Sequence, residues 1–190
     1  MICIDFKKAF DTIKRDFILY SLKLFNFGEK IINWIKTIFN NTVSCVLHNG
    51  HMSSFFAQMN GLRQGCNLSP LLYVVAAEVM ANQIRQSKYI HGIKLPFLEY
   101  DKNEVKITQF ADDTTIFVKD EESIKNVLKT FELFSQISGL YINKLKSDAV
   151  WIGACRESTK EIGGINWKCV PNNNVKIGRE ASQDKRRRKK

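Results

Sequence analysis

No apolar run in these 190 residues approaches the ~18 residues of a membrane span, so no segment reads as a transmembrane helix. The opening "MICIDFKK" places its apolar residues before its charges and has no small-residue cleavage site, the wrong order for a signal peptide. Five cysteines, at 3, 45, 66, 155 and 169, are odd in number and never form a CxxC pair. That argues against a disulfide framework or a zinc site and for reduced thiols inside a cell, in nucleus or cytoplasm. The histidines at 48, 51 and 91 form no ligand cluster. Glycosylation-like triplets at 40–42 and 67–69 are read as chance in a chain without a secretion signal.

Acidic residues are the scarcer sign, 19 against 29 Lys and Arg, giving a net charge of +10. The final "KRRRKK" supplies +6 of this and leaves +4 for residues 1–184. Such a block is a solvated tail that can bind polyanions without sequence preference, and the body is only mildly basic. With 44% hydrophobic residues the chain can fill a sizeable core, and its length suits one compact domain with at most a small appendage.

Strand and helix patterns interleave along the chain. "MICIDF" reads as a short buried strand. A helix over about 14–26 has Ile18, Leu22 and Phe25 at helical spacing, and a second over about 29–39 carries Ile31, Trp34, Ile35, Ile38 and Phe39 on one face. "TVSCVLHNGHMSSFFAQ" reads as a hairpin around Asn49-Gly50. The loop "GLRQGCNLSP" leads into a helix over about 69–87, with Ser69 as cap and Pro70 at the first helical position. A strand near 91–95, a hairpin over 107–120, a helix over 121–138 closed by Gly139, and short strands "LYIN" and "AVWIG" follow. From about 171 the text turns polar and loses periodicity. This pattern is α+β.

The hairpin "ITQFADDTTIFVKD" sets Asp112 and Asp113 side by side in an apolar context, at the turn. Like charges so close repel, and burying them is costly without a cation between them. Asp5 likewise ends a buried strand. Three carboxylates at neighbouring strand ends suit a hard divalent ion such as Mg²⁺, which takes carboxylate oxygens and keeps other positions for water and phosphate. Two such ions can activate an attacking oxygen and stabilise a leaving one. Asp is also common at tight turns, so the dipeptide by itself does not choose between chemistry and turn geometry.

Four ordered blocks decide more: "IDFKKAFDTI" (4–13), "NGLRQGCNLSPLLYVVAAEVM" (60–80), "QFADD" (109–113) and "SGLYINKLKSDAVWIG" (138–153). Together with the intervening "FGEKIINWIKTIF", they resemble the reverse transcriptases of non-LTR (LINE-type) retrotransposons from residue 1 to about 170. The resemblance implies the palm of a right-hand polymerase, an antiparallel sheet backed by helices, with part of the fingers and no thumb, and a basic tail over 171–190. It implies an RNA-directed DNA polymerase acting on RNA template, DNA primer and dNTP, with two Mg²⁺ ions (Mn²⁺ as the alternative) held by Asp5, Asp112 and Asp113. Those three aspartates should then converge on one site. Phe10 matches the aromatic that excludes a ribose 2′-OH, and Phe6, Arg63, Gln64 and Gly65 match positions that touch the nucleotide and template. Lys146 falls where the family carries a lysine suited to neutralise or protonate departing pyrophosphate. Neighbouring Lys144 competes for that assignment.

The chain departs from the family pattern at Asn67, where proline is usual and would stiffen the loop. Upstream finger residues, an endonuclease domain and a zinc knuckle are not in the sequence, and "IGREASQDKRRRKK" does not resemble a thumb. The expectation is therefore a truncated retroelement copy. The competing class is a non-catalytic nucleic-acid-binding remnant.

Overall fold

In the computed structural model, which describes residues 1–94, 104–153, 158 and 160–168, helices and short strands alternate. Their order is β1 (Ile2–Ile4), α1 (Ala9–Thr12), α2 (Arg15–Leu24), α3 (Glu29–Phe39), β2 (Val43–Ser44), β3 (Leu47–His48), β4 (His51–Met52) and β5 (Phe56–Ala57). After these come α4 (Leu68–Gln86), β6 (Ile93–Lys94), β7 (Glu104–Val105), β8 (Ile107–Phe110), β9 (Asp113–Ile116), α5 (Glu121–Ser138), β10 (Asp148–Val150) and β11 (Asn166–Lys168). The polar tail expected over 171–190, and Cys155 and Cys169, lie outside the described residues.

The chain divides into two compact units. The first comprises the described residues of Met1–Lys7, Ala81–Leu133 and 141–168, and is built on a five-stranded sheet of order β11-β10-β1-β9-β8. β1 lies between β9 and β10, antiparallel to both, while β8 and β9 form a hairpin and β10 pairs β11 in parallel. One face of this sheet carries Ile2, Ile4, Ile107, Ile116 and Ala149, all buried. Burying an isoleucine fully is worth roughly 1.5–3 kcal/mol, so three-residue β1 owes its place to this apolar face. Alternation then turns Cys3, Thr115 and Asp148 to the opposite face, where Cys3 is registered with both.

The second unit, Lys8–Met80 with Phe134–Leu140, is mainly helical. Phe17 of α2 meets Phe134 edge-on at 5.3 Å between ring centroids. In α3 the buried residues are Ile32 and Ile35, while Ile31, Trp34 and Ile38 are exposed. The expected apolar face of α3 is thus corrected, because the helix is apolar over more of its circumference than it buries. In α2 the half-buried Phe25 is the residue after the helix, and Phe17 takes the core position expected of it.

Two further boundaries differ from expectation. α4 starts at Leu68, and Ser69 Oγ donates to the Arg63 carbonyl at 2.7 Å instead of capping the helix. "LYIN" forms only an isolated bridge, Phe6 to Ile142, because glycine and a tight turn on either side leave no room for a ladder. The Asn49-Gly50 hairpin is present, with both residues at positive φ (47° and 79°), as a two-residue primed turn requires. Helix α5 matches expectation and ends at Gly139, φ 79°, whose added Cβ would lie 2.4 Å from the Thr12 carbonyl oxygen.

Candidate active site

The position of Asp5 follows from strand register. Ile2, Cys3 and Ile4 pair with Ile116, Thr115 and Thr114, so the next step along β1 sets Asp5 across from Asp113. Residues opposite each other in antiparallel strands share a face, with Cβ atoms about 4.5–5.5 Å apart. For Asp5 and Asp113 that face is the one bearing Cys3 and Thr115, away from the buried isoleucines. Asp5 is half-buried and Asp113 is exposed.

Asp112 is placed differently. The hairpin turn is Ala111-Asp112, and Asp113 is already the first residue of β9, paired with Phe110. Ala111 adopts φ 52°, a left-handed conformation that costs a non-glycine residue roughly 1–2 kcal/mol. The four registered pairs of β8 and β9 hold the turn in that state. Turn geometry therefore accounts for the place of Asp112 and not for that of Asp113.

Beyond the ladder, the main chain of Asp5 is gripped by residues 143–147. Its N–H donates to Ser147 Oγ at 3.0 Å, and its carbonyl accepts from the Asn143 N–H at 2.7 Å. Lys146 is exposed on this same turn, its N–H donating to the Asn143 carbonyl at 3.0 Å. Phe6 is buried, with its ring 6.0 Å from that of Phe131.

The remaining candidates belong to the second unit. Phe10 is half-buried and stacks on Tyr73, ring centroids 5.0 Å apart and planes 19° from parallel. Arg63, Gln64 and Gly65 are exposed, on a loop whose start is fixed under α1. There the Gly61 N–H donates to the Ile13 carbonyl at 2.8 Å, and the Leu62 N–H to the Phe10 carbonyl at 2.6 Å. Gly61 has φ 86°, and a Cβ on it would stand 2.8 Å from the Asp11 carbonyl oxygen, so only glycine fits this close approach. Gln64 Nε2 donates to Asp11 Oδ1 at 3.2 Å.

Sequence reasoning missed Arg15. Its guanidinium donates to the carbonyls of Gly61 (3.2 Å), Phe39 (3.1 Å) and Gln58 (2.7 Å) and to Thr42 Oγ1, and lies 5.1 Å from the centre of the Phe39 ring. Burial lowers its pKa from the ordinary arginine value. Nothing in the sequence separates this residue from a solvated arginine at a helix start. Beside it a cavity of about 340 Å³ is lined in part by Phe39, Leu62, Arg63, Cys66 and Leu72. The Leu68 backbone N–H, with further bonds from Ser69, holds the Cys66 thiol below its usual pKa. Ser147 was also missed, though it adjoins Lys146.

As placed, no group of three or more His, Cys, Asp or Glu among the described residues could hold a metal ion. Mg²⁺ does not need such a cage, since it commonly binds one or two carboxylates and completes its shell with water and substrate phosphate. The carboxylate oxygens of Asp5 and Asp113, at neighbouring strand ends on the face that also bears Cys3 and Thr115, fit that kind of ion. Among the described residues no helix is long and apolar enough to cross a membrane.

Comparison with known proteins gives a family match, reverse transcriptase (RNA-dependent DNA polymerase), over residues 1–177. The transposon TX1 uncharacterized 149 kDa protein of Xenopus laevis is 26% identical over 153 residues, 80% of this chain and 11% of that protein. A Pol polyprotein from the type-1 retrotransposable element R2 of Popillia japonica is 22% identical over 172 residues, 90% of this chain and 22% of its own length. The RNA-directed DNA polymerase from mobile element jockey of Drosophila melanogaster is 26% identical over 149 residues, covering 75% of this chain and 15% of that protein. These names agree with the retrotransposon likeness read from the four blocks. Among solved structures, Candida tropicalis telomerase in complex with a fragment of telomeric RNA matches at TM-score 0.57 and 14% identity, over 77% of this chain and 25% of that one. At that identity the likeness speaks for the fold alone.

Proposed function

The chain belongs to the reverse transcriptase family, and from that premise we propose that it carries the palm-type catalytic centre of an RNA-directed DNA polymerase acting inside the cell. The substrates proposed are an RNA template, a DNA primer and a dNTP. The observation that supports the reading is the antiparallel pairing of β1 with β9, which ends at Ile4 opposite Thr114 and leaves Asp5 and Asp113 next in line on the two strands, with Asp112 on the adjoining turn.

In this reading Asp5, Asp112 and Asp113 hold two Mg²⁺ ions, with Mn²⁺ as a substitute. When bound, such ions neutralise phosphoryl charge and favour ionisation of the primer 3′-hydroxyl. Phe10 takes up the space a ribose 2′-OH would need, its ring held by stacking on Tyr73. Gln64 supplies a donor and an acceptor to a base edge, Arg63 a guanidinium to phosphate, and Gly65 a backbone without a Cβ to keep the substrate away. Phe6 supports Asp5 from the core through its contact with Phe131. Lys146 offers its ammonium to the departing pyrophosphate, as proton donor or counter-charge.

Primer extension on an RNA template with Mg²⁺ tests the proposal against the double variant Asp112→Ala, Asp113→Ala. Extension by this chain alone is expected to be weak, and the double variant to abolish what template-directed product there is. Equal background from both proteins, with binding to nucleic acid retained, would overturn the catalytic reading in favour of a non-catalytic binding remnant.

A further inference from the structure

We propose that Ser147 is a positioning residue for Asp5: its buried hydroxyl fixes the main chain of Asp5 and so sets where the carboxylate stands relative to Asp113. The assignment rests on the polymerase reading of Asp5.

Asp5 lies one residue past the paired part of β1, where the ladder to β9 no longer fixes it. Residues 141–147 take over. The Lys7 N–H donates to the Tyr141 carbonyl at 2.9 Å, the Asn143 N–H to the Asp5 carbonyl at 2.7 Å, and the Asp5 N–H to Ser147 Oγ at 3.0 Å. Only the last of these bonds passes through a side chain. Ser147 Oγ in turn donates to the Asn143 carbonyl at 2.9 Å, and the residue is fully buried, 0% exposed. Its one proton is thereby committed, which leaves a lone pair to accept from Asp5. A hydroxyl with both roles filled inside a packed site has one orientation, and it passes that definition to the backbone it holds.

The consequence is specific to Asp5. The Asp5 position faces Asp113 by register, but no ladder bond at Asp5 itself enforces that relation. Removing Oγ would leave the Asp5 N–H without its acceptor and free the strand end to shift. Supporting groups of this kind commonly alter metal affinity by 10–100-fold without touching the ion.

Two readouts on the full chain test this. Hydrogen exchange of the Asp5 amide, followed by NMR, is expected to quicken at least tenfold in Ser147→Ala, with Cys3 exchange unchanged. Mn²⁺ affinity, read by electron paramagnetic resonance, is expected to weaken about tenfold. Ser147→Thr, which keeps the oxygen, restores both. Ser147→Cys, close to serine in size with a weak sulfur acceptor, gives the same losses in a chain whose melting shows it folded. Unchanged Asp5 exchange in the Ala and Cys variants, or Mn²⁺ affinity unaltered while exchange quickens, would overturn the assignment. Failure of the unaltered chain to bind Mn²⁺ would count against the polymerase reading itself. That result is distinct from a failure of the bracket, which the exchange rate reports directly.

Discussion

Arg15 donates from Nε to the carbonyl of Gly61 at 3.2 Å, joining the start of α2 to the loop that presents Arg63, Gln64 and Gly65. Its Nη1 reaches Phe39, Thr42 and Gln58 as well, so one planar cation satisfies three backbone carbonyls from two segments, 39–42 and 58–61. Charged donors to backbone carbonyls contribute more than neutral ones, and their loss leaves the acceptors unmet.

Arg15→Ala is therefore expected to destabilise the chain by about 2 kcal/mol. Arg15→Lys should recover only part of this, because an ammonium cannot reproduce the fork of a guanidinium. Urea unfolding midpoints check both. A loss below about half a kcal/mol in the alanine variant would mean that solvent serves those carbonyls equally well.

Gly61→Ala should cost more than about 1 kcal/mol, since it adds a methyl at φ 86° into a 2.8 Å contact with the Asp11 carbonyl oxygen. Relief of this contact is expected to loosen the adjoining short bond from Leu62 to the Phe10 carbonyl. Thermal melting and exchange of the Leu62 amide measure the two effects. Unaltered exchange at Leu62 would place the relief elsewhere.

Phe10→Val removes the ring that stacks on Tyr73. Ribonucleotide use relative to deoxynucleotide is expected to rise by at least tenfold, read as the ratio of kcat/KM values in primer extension. If that ratio kept its parental value while stability fell, the ring would be a packing residue only.

Two thiols should part company with pH. The Leu68 backbone N–H lowers the Cys66 pKa, so more of it is thiolate at neutral pH. Burial raises the Cys3 pKa, and its bond to Thr115 Oγ1 only partly opposes this. Iodoacetamide, with labelling mapped by peptide mass spectrometry, should modify Cys66 faster than Cys3 at pH 7.5. The rate–pH curve of Cys66 should lie at lower pH than that of Cys3. Coincident curves would contradict the environments described.

Family membership and most of the helices were legible from residue order alone. Helical spacing located α3, α4 and α5 to within a residue or so, Asn49-Gly50 specified its turn, and the blocks around Asp5, Arg63 and Asp112 marked the candidate site. Each of these signals is local, since spacing and turn preference act over a few residues. Tertiary structure decided what depends on a distant partner. Which side of α3 is buried could not be read from a helix whose apolar residues exceed one stripe. That β1 pairs with β9 and ends at Ile4 opposite Thr114, one step short of Asp5 and Asp113, is a matter of register, where a shift of one residue reverses every side chain. Arg15 and Ser147 look like ordinary polar residues until segments 24 to 142 positions away fold against them. Closing such separations has an entropic cost that grows only slowly with length, so the chain can place partners far apart and leave no local trace of the pairing.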